Sequence, residues 1–340
     1  MALDVREFGA VGDGVSDCTL AFQMALDYGD IIIKEGVYLT SASLKSPSYR
    51  YIYGQDASWK KANSSFDNFL RNDDFDNGNT DIRLVGLGNF ILDGNSVNNS
   101  DAYALYGKNG AESHKYASLM FSGVKNFSVM NIKLVDHPHW GIYFHKCRGG
   151  IISDIYLNYY TLIVNQDGLD FAWGNSFIEI SNVRGYTADD FTILAAGSVC
   201  DACPLTVNYN IGDIHHISYS KIRIYNSANG GLLPLIGGNG NRIYSITMDD
   251  AITYRAGSVI FMNYDGYWSE DPAKEDITDI RLSNITVYNN TNNYLFVIGQ
   301  SCSNISITNL VNHSGKSLFW SATGIEIENF SINGVEYSTS

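Results

Sequence analysis

Helical signal is almost absent: no helical periodicity of any length follows the first thirty positions, and only 5 prolines stand against 32 glycines. With 23 tyrosines and abundant asparagine, this excludes a helical protein and points to strands joined by many turns. No run of eighteen apolar residues occurs and no charged-then-apolar leader opens the chain at Met1, so neither a membrane span nor a signal peptide is visible. No basic patch offsets a formal net charge of −14 spread along the chain, which argues against nucleic acid and other polyanions as partners. Cys18, Cys147, Cys200, Cys203 and Cys302 are odd in number and irregular in spacing, which excludes a disulfide framework. The CxxC at Cys200 and Cys203 lacks a second CxxC or a histidine pair at ligand spacing, so it reads as a local disulfide or two thiols rather than zinc. No cofactor is expected. With 340 residues and 45% hydrophobic content, a sizeable core is possible.

What the chain does have is repetition. A short strand pattern recurs as SLMF (118–121), GIYF (141–144), GLDF (168–171), DFTI (190–193), GLLP (231–234), SVIF (258–261), YLFV (294–297) and SLFW (317–320), mostly 22 to 27 residues apart. A second pattern interleaves with it: SVMNIKL (128–134), IISDIYL (151–157), EISNVRG (179–185), SYSKIRI (218–224), RLSNITV (281–287), SITNLVN (306–312) and EIENFSI (326–332). Each copy has two alternating arms hinged on a polar residue, usually Asn or Asp, types that tolerate the left-handed conformation. No such coil buries its apolar side alone, whereas stacked coils do. The expectation is all-β: one right-handed parallel β-helix spanning 1–340, with a capping helix in 1–30. Ser16 or Asp17 is expected to cap that helix, and Leu20, Phe22, Ala25 and Leu26 to form its apolar face, before the strand Ile31–Ile33. The Asp-, Asn- and aromatic-rich segment 49–80 breaks the rhythm and reads as a loop excursion beside the stack. The sequons at Asn126, Asn284, Asn304 and Asn329 sit at repeat hinges and read as turn residues.

Aligning the short strands puts Trp140, Asp167 and Asp189 at one level, Gly141, Gly168 and Asp190 at the next, and Ile142, Leu169 and Phe191 inside. Tyr143, Asp170 and Thr192 follow, pointing outward. Coils lie about 4.8 Å apart, so Asp167, Asp189 and Asp190 share one patch with Asp170 at its margin, and repulsion raises at least one of their pKa values. A protonated acid beside an ionised base suits glycosidic hydrolysis. A solvated turn and a calcium site are the plainer readings of such a cluster.

The opening DVREFGAVGDGVSDCTLAF followed by IIIKEGVYL resembles the start of pectin-degrading β-helix proteins, the broad group of pectate-lyase-like and glycoside hydrolase family 28-like chains. Asn165-Gln166-Asp167-Gly168-Leu169-Asp170 resembles the family 28 Asn-Thr-Asp-Gly-x-Asp motif, and Ala188-Asp189-Asp190 resembles its Gly-Asp-Asp. The resemblance implies an inverting hydrolase with Asp189 as general acid and Asp167 and Asp190 holding the attacking water. Two motifs of the family are missing. In place of Gly-His-Gly the chain offers His215 and His216, and where Arg-Ile-Lys would follow Asn229-Gly230 it has Gly231-Leu232-Leu233-Pro234.

Without those basic residues a carbohydrate substrate is expected to be neutral rather than polygalacturonate, although Arg242 and Arg255 remain as basic contacts from later coils. Trp140 and Tyr143, with Tyr186 and Trp173 near in sequence, are the candidate sugar platforms. His137, His139 and His145 surround the same strand and read as polar lining of a cleft rather than a metal site. Asn165, Asp170, His139, Trp140, Tyr143, His145, His215, His216 and Arg242 complete the expected substrate-binding set. Two rival readings stay open: a polysaccharide lyase on the same fold, and a non-catalytic glycan- or receptor-binding β-helix of phage-tail or adhesin type, expected to be a trimer. Either way an extracellular or cell-surface location fits.

Overall fold

The computed structural model describes residues 2–65, 67–99, 117–159, 161, 165–196, 212–238, 240–262 and 273–338; Cys200 and Cys203 lie outside them. The interleaved patterns become two kinds of strand. Long ones, Lys125–Val135, Arg148–Asn158, Ser176–Thr187, Ile214–Ser227, Ile243–Thr253, Ile277–Val287 and Cys302–Asn312, pair in parallel, each with the next. Short ones, among them Leu119–Ser122, Ile142–His145, Leu169–Ala172, Thr192–Ala195 and Leu233–Ile236, form a second, ten-stranded parallel sheet among the described residues. The architecture is a right-handed parallel β-helix.

The long strands bend around the core at residues with positive φ. One column of them, Asn131, Asp154, Asn182, Lys221, Asp250, Asn284 and Asn309, is the polar hinge seen in the sequence. A second column, Asn126, Gly149, Phe177, His216, Ser245, Asp279, Asn304 and Asn329, was not legible, because its residue types are mixed. The sequon asparagines Asn126, Asn284, Asn304 and Asn329 all occupy these left-handed positions, where a short polar side chain meets the smallest steric penalty.

Between hinges, alternate residues point inward and stack coil on coil. Ile152, Ile180, Tyr219, Met248, Leu282 and Ile307 make one such ladder, and Phe121, Phe144 and Phe171 another, the last two with rings 5.0 Å apart and 10° from parallel. Each fully buried aliphatic or aromatic rung contributes about 1.5–3 kcal/mol of hydrophobic stabilisation.

Two expectations need correction. Segment 49–80 is no excursion: Arg50–Gly54, Ala57–Lys61 and Leu70–Asn72 are strands of the stack, pairing with Ile82–Gly86, Phe90–Asp93 and Leu119–Ser122. Its polar residues fill the turns between those strands. In the capping helix, Thr19–Tyr28, Leu20 is 72% exposed, and the buried face is Ala21, Phe22, Ala25 and Leu26. Asp17 rather than Ser16 serves the helix start, accepting from the Thr19 backbone N–H (2.9 Å) and hydroxyl (2.6 Å).

The same N-terminal coils bury Lys61, whose Nζ lies 5.0 Å from the Phe69 ring centre. Loss of hydration pushes its pKa down to about 7, and the Asp67 carboxylate only partly counters this. Below the free-lysine value of 10.5 the unfolded chain holds a proton that the folded chain sheds, so stability rises with pH between about 7 and 10.5. Lys61→Met should remove that rise. Urea melts at pH 7 to 10 should show a native slope steeper than the variant's by up to about 1.4 kcal/mol per pH unit; equal slopes would show that Lys61 keeps its charge.

Candidate active site

The acids cluster where long strands turn into the short-strand sheet. Leu169 and Phe171 fill the core, which sends Asp170 between them to the outer face of that sheet. Asp167 precedes this strand, and Asp189 and Asp190 form the corner between Ser176–Thr187 and Thr192–Ala195. The register differs by one residue from the sequence alignment: Leu169 pairs with Thr192, so Asp190, not Asp189, stands level with Asp167, and Asp189 stands beside Gln166. Phe191 is still buried, but Thr192 points inward, its hydroxyl 3.1 Å from that of Tyr219, and Ile193 takes the outward place.

Close backbone approach fixes the corner. A Cβ at Gly168 would overlap the Phe191 carbonyl, and one at Gly230 would overlap the Asp189–Asp190 peptide, so the coils press together directly beneath the acids. The Gly231 N–H donates to Asp190 Oδ1 (2.8 Å), and the hydroxyls of Thr187 and Ser227 donate to the Asp189 carbonyl (2.8 and 2.6 Å). Behind Asp167, the Gln166 amide donates to the His137 carbonyl (2.5 Å) and to Thr161 Oγ1 (3.0 Å). Thr161 in turn donates to Asp136, which also accepts from the Ser96 hydroxyl.

All four carboxyls have raised pKa values. For Asp167, buried, loss of hydration is the main cause, followed by the charges of Asp170, Asp189 and Asp190. Burial likewise raises Asp170, while the neighbouring Asp167 carboxyl partly opposes this by favouring its ionised form. Burial and then Asp189 push Asp190 up to about 8, despite the Gly231 N–H. Asp189 is raised by burial too, with the backbone N–H groups of Asn165 and Asp190 pulling the other way. Among the described residues no lysine or arginine contributes to any of the four.

The structure brings some of the expected binding residues to this corner and separates others. Asn165, in left-handed conformation, reaches Asp189 through its backbone. Trp140 is half-buried and stacks on Tyr143 (5.1 Å, 11°), while Tyr143 itself is buried beside Asp170. Both are therefore near the acids, but the Tyr143 ring face is covered and Trp140 is the accessible platform. His139 is buried and its pKa is pushed down to about 3 by loss of hydration; His145 is buried with Nδ1 3.1 Å from the Ser122 hydroxyl. His215, His216 and Arg242 lie at the far end of the long strands, away from the acids. His216 stacks on Phe177 (4.7 Å), His215 on Tyr244 (4.9 Å), and Arg242 lies over the Tyr244 ring (4.6 Å). The histidines thus do not substitute for the missing Gly-His-Gly, since twelve strand residues separate the Ser176 level from the Asp189 corner.

Three neighbours of the site were not singled out from the sequence. Gln166 and Asp136 hold the corner by hydrogen bonds that only the fold creates, and the Tyr159 hydroxyl, buried with no hydrogen bond among the described residues, faces Asp167 and Asp170. A Gln inside an Asn-x-Asp-Gly motif was the one available signal, and only for Gln166.

Across residues 2–232 the sequence matches the family described as rhamnogalacturonase A/epimerase, pectate lyase-like, and the chain belongs to that family. Over 275 residues it is 26% identical to the pre-neck appendage protein of Bacillus phage B103, a match covering 66% of this chain and 30% of that protein. The chain therefore spans less than a third of that relative. Among solved structures, it is similar to endo-xylogalacturonan hydrolase of Aspergillus tubingensis (TM-score 0.66, 16% identity, 95% and 91% of the two chains). It is also similar to an exopolygalacturonase of Thermotoga maritima (TM-score 0.64, 17% identity, 99% and 93%). At these identities the structural likeness is one of fold.

A raised carboxyl pKa means that the folded chain binds the proton more tightly than the unfolded one, so stability falls as pH rises from about 4, where a free carboxyl titrates, towards 8. Asp190→Asn keeps the Gly231 hydrogen bond and removes the charge. Its thermal midpoint should exceed the native one at pH 8 and match it at pH 4; the same offset at both values would mean that Asp190 is an ordinary exposed carboxylate.

Proposed function

We propose that the chain is an inverting glycoside hydrolase acting on a polysaccharide or its oligosaccharides, outside or at the surface of the cell. The observation that carries this reading is the cluster of four carboxyls, crowded at a corner of the solenoid without a counter-cation among the described residues, whose proton affinities are all raised. Crowding of this kind keeps protons on some members while others ionise, which is the requirement for acid and base to act together near neutral pH.

In the reaction, one carboxyl protonates the glycosidic oxygen as the bond to the anomeric carbon breaks, and another removes a proton from water attacking the opposite face. Inversion requires the two about 6.5–9.5 Å apart, a separation that side chains on adjacent coils span. The family 28 resemblance gives Asp189 the acid role and Asp167 and Asp190 the water. Burial raises the proton affinity of Asp189, and the backbone N–H groups of Asn165 and Asp190 act against it by favouring the ionised form. The approach of a glycosidic oxygen must therefore raise the Asp189 proton affinity further.

Where family 28 has Arg-Ile-Lys, Leu232 and Leu233 are buried and Gly231 serves Asp190, so no cation reaches the sugar at the cleaved bond from that segment. This supports a neutral residue there. A lyase would want a basic group beside the acids, and none acts on them among the described residues. A second reading, a non-catalytic glycan-recognising module of a virion, is favoured by the match to the phage appendage protein, and in it the carboxyls are structural.

Proton NMR of the first anomer released from a panel of neutral and acidic glycans decides among these. The expected product is the inverted anomer, an unsaturated sugar would mean a lyase, and binding without turnover would mean the recognition module. Asp189→Asn should slow cleavage of an unactivated bond by about 10²–10⁴-fold and that of an aryl glycoside with a good leaving group far less. Equal losses on both substrates, with rescue by azide, would transfer the base role to Asp189.

A further inference from the structure

The outer face of the short-strand sheet carries rows of side chains that run along the solenoid, one residue of each row per coil. Parallel register sets Lys45, Arg71, Met120, Tyr143, Asp170 and Ile193 in a single row. Arg71 is three coils from Asp170, about 14 Å at about 4.8 Å per coil. Its guanidinium lies 5.0 Å from the centre of the Phe75 ring, and Phe75 packs against the buried group Met120, Tyr143 and Trp173 beside the acids. The side chain is half-buried and its Nε is fully buried, yet among the described residues it makes no hydrogen bond and no ion pair.

Acids outnumber bases 36 to 22, and Arg6, Arg83, Arg223 and Arg281 are each paired with an aspartate. Arg148, over the Phe177 ring, is likewise without an ion pair among the described residues but is exposed, whereas the Nε of Arg71 is buried. The acids in the turn after Arg71 are turned to other partners: Asp73 accepts from Asn79 (2.7 Å), and Asp74 from Asn77. A guanidinium stays charged at any physiological pH, and a buried N–H left without an acceptor is costly. With the guanidinium held over Phe75, its terminal N–H groups, without acceptors among the described residues, suit an oxyanion taken with two parallel hydrogen bonds.

We propose that Arg71 is the anchor of an anion-binding subsite, three coils from the acids, for a carboxylate or sulfate group carried by the glycan, with Lys45 the next cation in the row. The inference rests on the reading of this face as glycan-binding and sharpens it. The sugar at the cleaved bond is neutral, and an acidic sugar lies further along the same chain, towards the N-terminal end of the solenoid.

The test is calorimetric binding to Asp189→Asn protein, so that turnover does not interfere. The probes are oligogalacturonate, its carboxyl-reduced form, and sulfated carrageenan oligosaccharides with their desulfated forms. At least one anionic probe should bind ten-fold or more tightly than its neutral partner. Adding Arg71→Gln should erase that preference while leaving neutral binding unchanged, and adding Arg71→Lys should restore part of it. The probe that shows the preference identifies carboxylate or sulfate. Absence of any preference, or its survival in both Arg71 variants, would overturn the proposal; thermal midpoints of each variant guard against misfolding, and if Arg71→Gln fails to fold, a full preference in Arg71→Lys counts against the fork. The two readings fail separately: inverted product from the native chain without charge preference removes only the subsite, and Arg71-dependent preference without turnover on any glycan removes only the hydrolase.

Discussion

Parallel pairing at one coil per about 4.8 Å forces equivalent residues of successive coils into contact, whatever their chemistry. For apolar residues this is favourable, and the inward ladders through Ile180 and Phe171 follow from it. For charged residues it is costly, and the molecule places acids at neighbouring levels in one corner only where other features require it. Asp167 and Asp190 are level by register, Asp189 is adjacent in sequence, and Asp170 is three residues along from Asp167 on the outer face. Geometry that would be neutral in a helix surface therefore becomes a cluster in which no carboxyl ionises without affecting the other three.

Such a cluster persists because the scaffold around it leaves little room to relax. Gly168 and Gly230 let backbones meet where a Cβ would not fit, so the Asp189–Asp190 peptide is clamped between coils. Gln166 is tied to Thr161 and to the His137 carbonyl, and Asp136 ties Thr161 and Ser96, which fixes the approach to Asp167 from behind. The polar ties are buried and mutually bonded, and buried networks of this kind hold a single arrangement. Electrostatic strain at the acids is thus set against rigid packing below them, the pattern expected of a site in which charge is to develop during reaction.

How much of this was legible depended on whether a feature is periodic. The solenoid was, because alternation and a polar hinge recur coil after coil, and the acids were, because Asp167-Gly168-Leu169-Asp170 and Asp189-Asp190 fall in the repeat. The one-residue register error at Asp189 arose because Phe191, apolar and buried like a strand residue, belongs to the turn: the strand is Thr192–Ala195, and Leu169 pairs with Thr192. His215 and His216 were drawn to the acids only by their position after Asp190; a strand of twelve residues, Ser176–Thr187, carries their coil to another side of the solenoid. Arg71 was lost with segment 49–80, whose strands are short and whose turns are polar enough to hide the repeat.

The outward row ties these elements into one argument about recognition. Beyond Ile193 it continues through Pro234, Phe261, Val297 and Trp320, apolar or aromatic at every coil, whereas on the other side of Asp170 it ends in Arg71 and Lys45. A ligand lying along the solenoid therefore meets cations at one end and apolar surface at the other, with the carboxyls between. A uniform polyanion would place charge against Phe261 and Trp320 and against the acids themselves, and a chain of −14 would repel it at long range. A uniformly neutral glycan would leave the proposed Arg71 fork, without an acceptor among the described residues, unsatisfied. The proposed ligand that fits this row is a heteropolymer whose sugars differ in charge, with direction along the solenoid set by where the charged sugar falls.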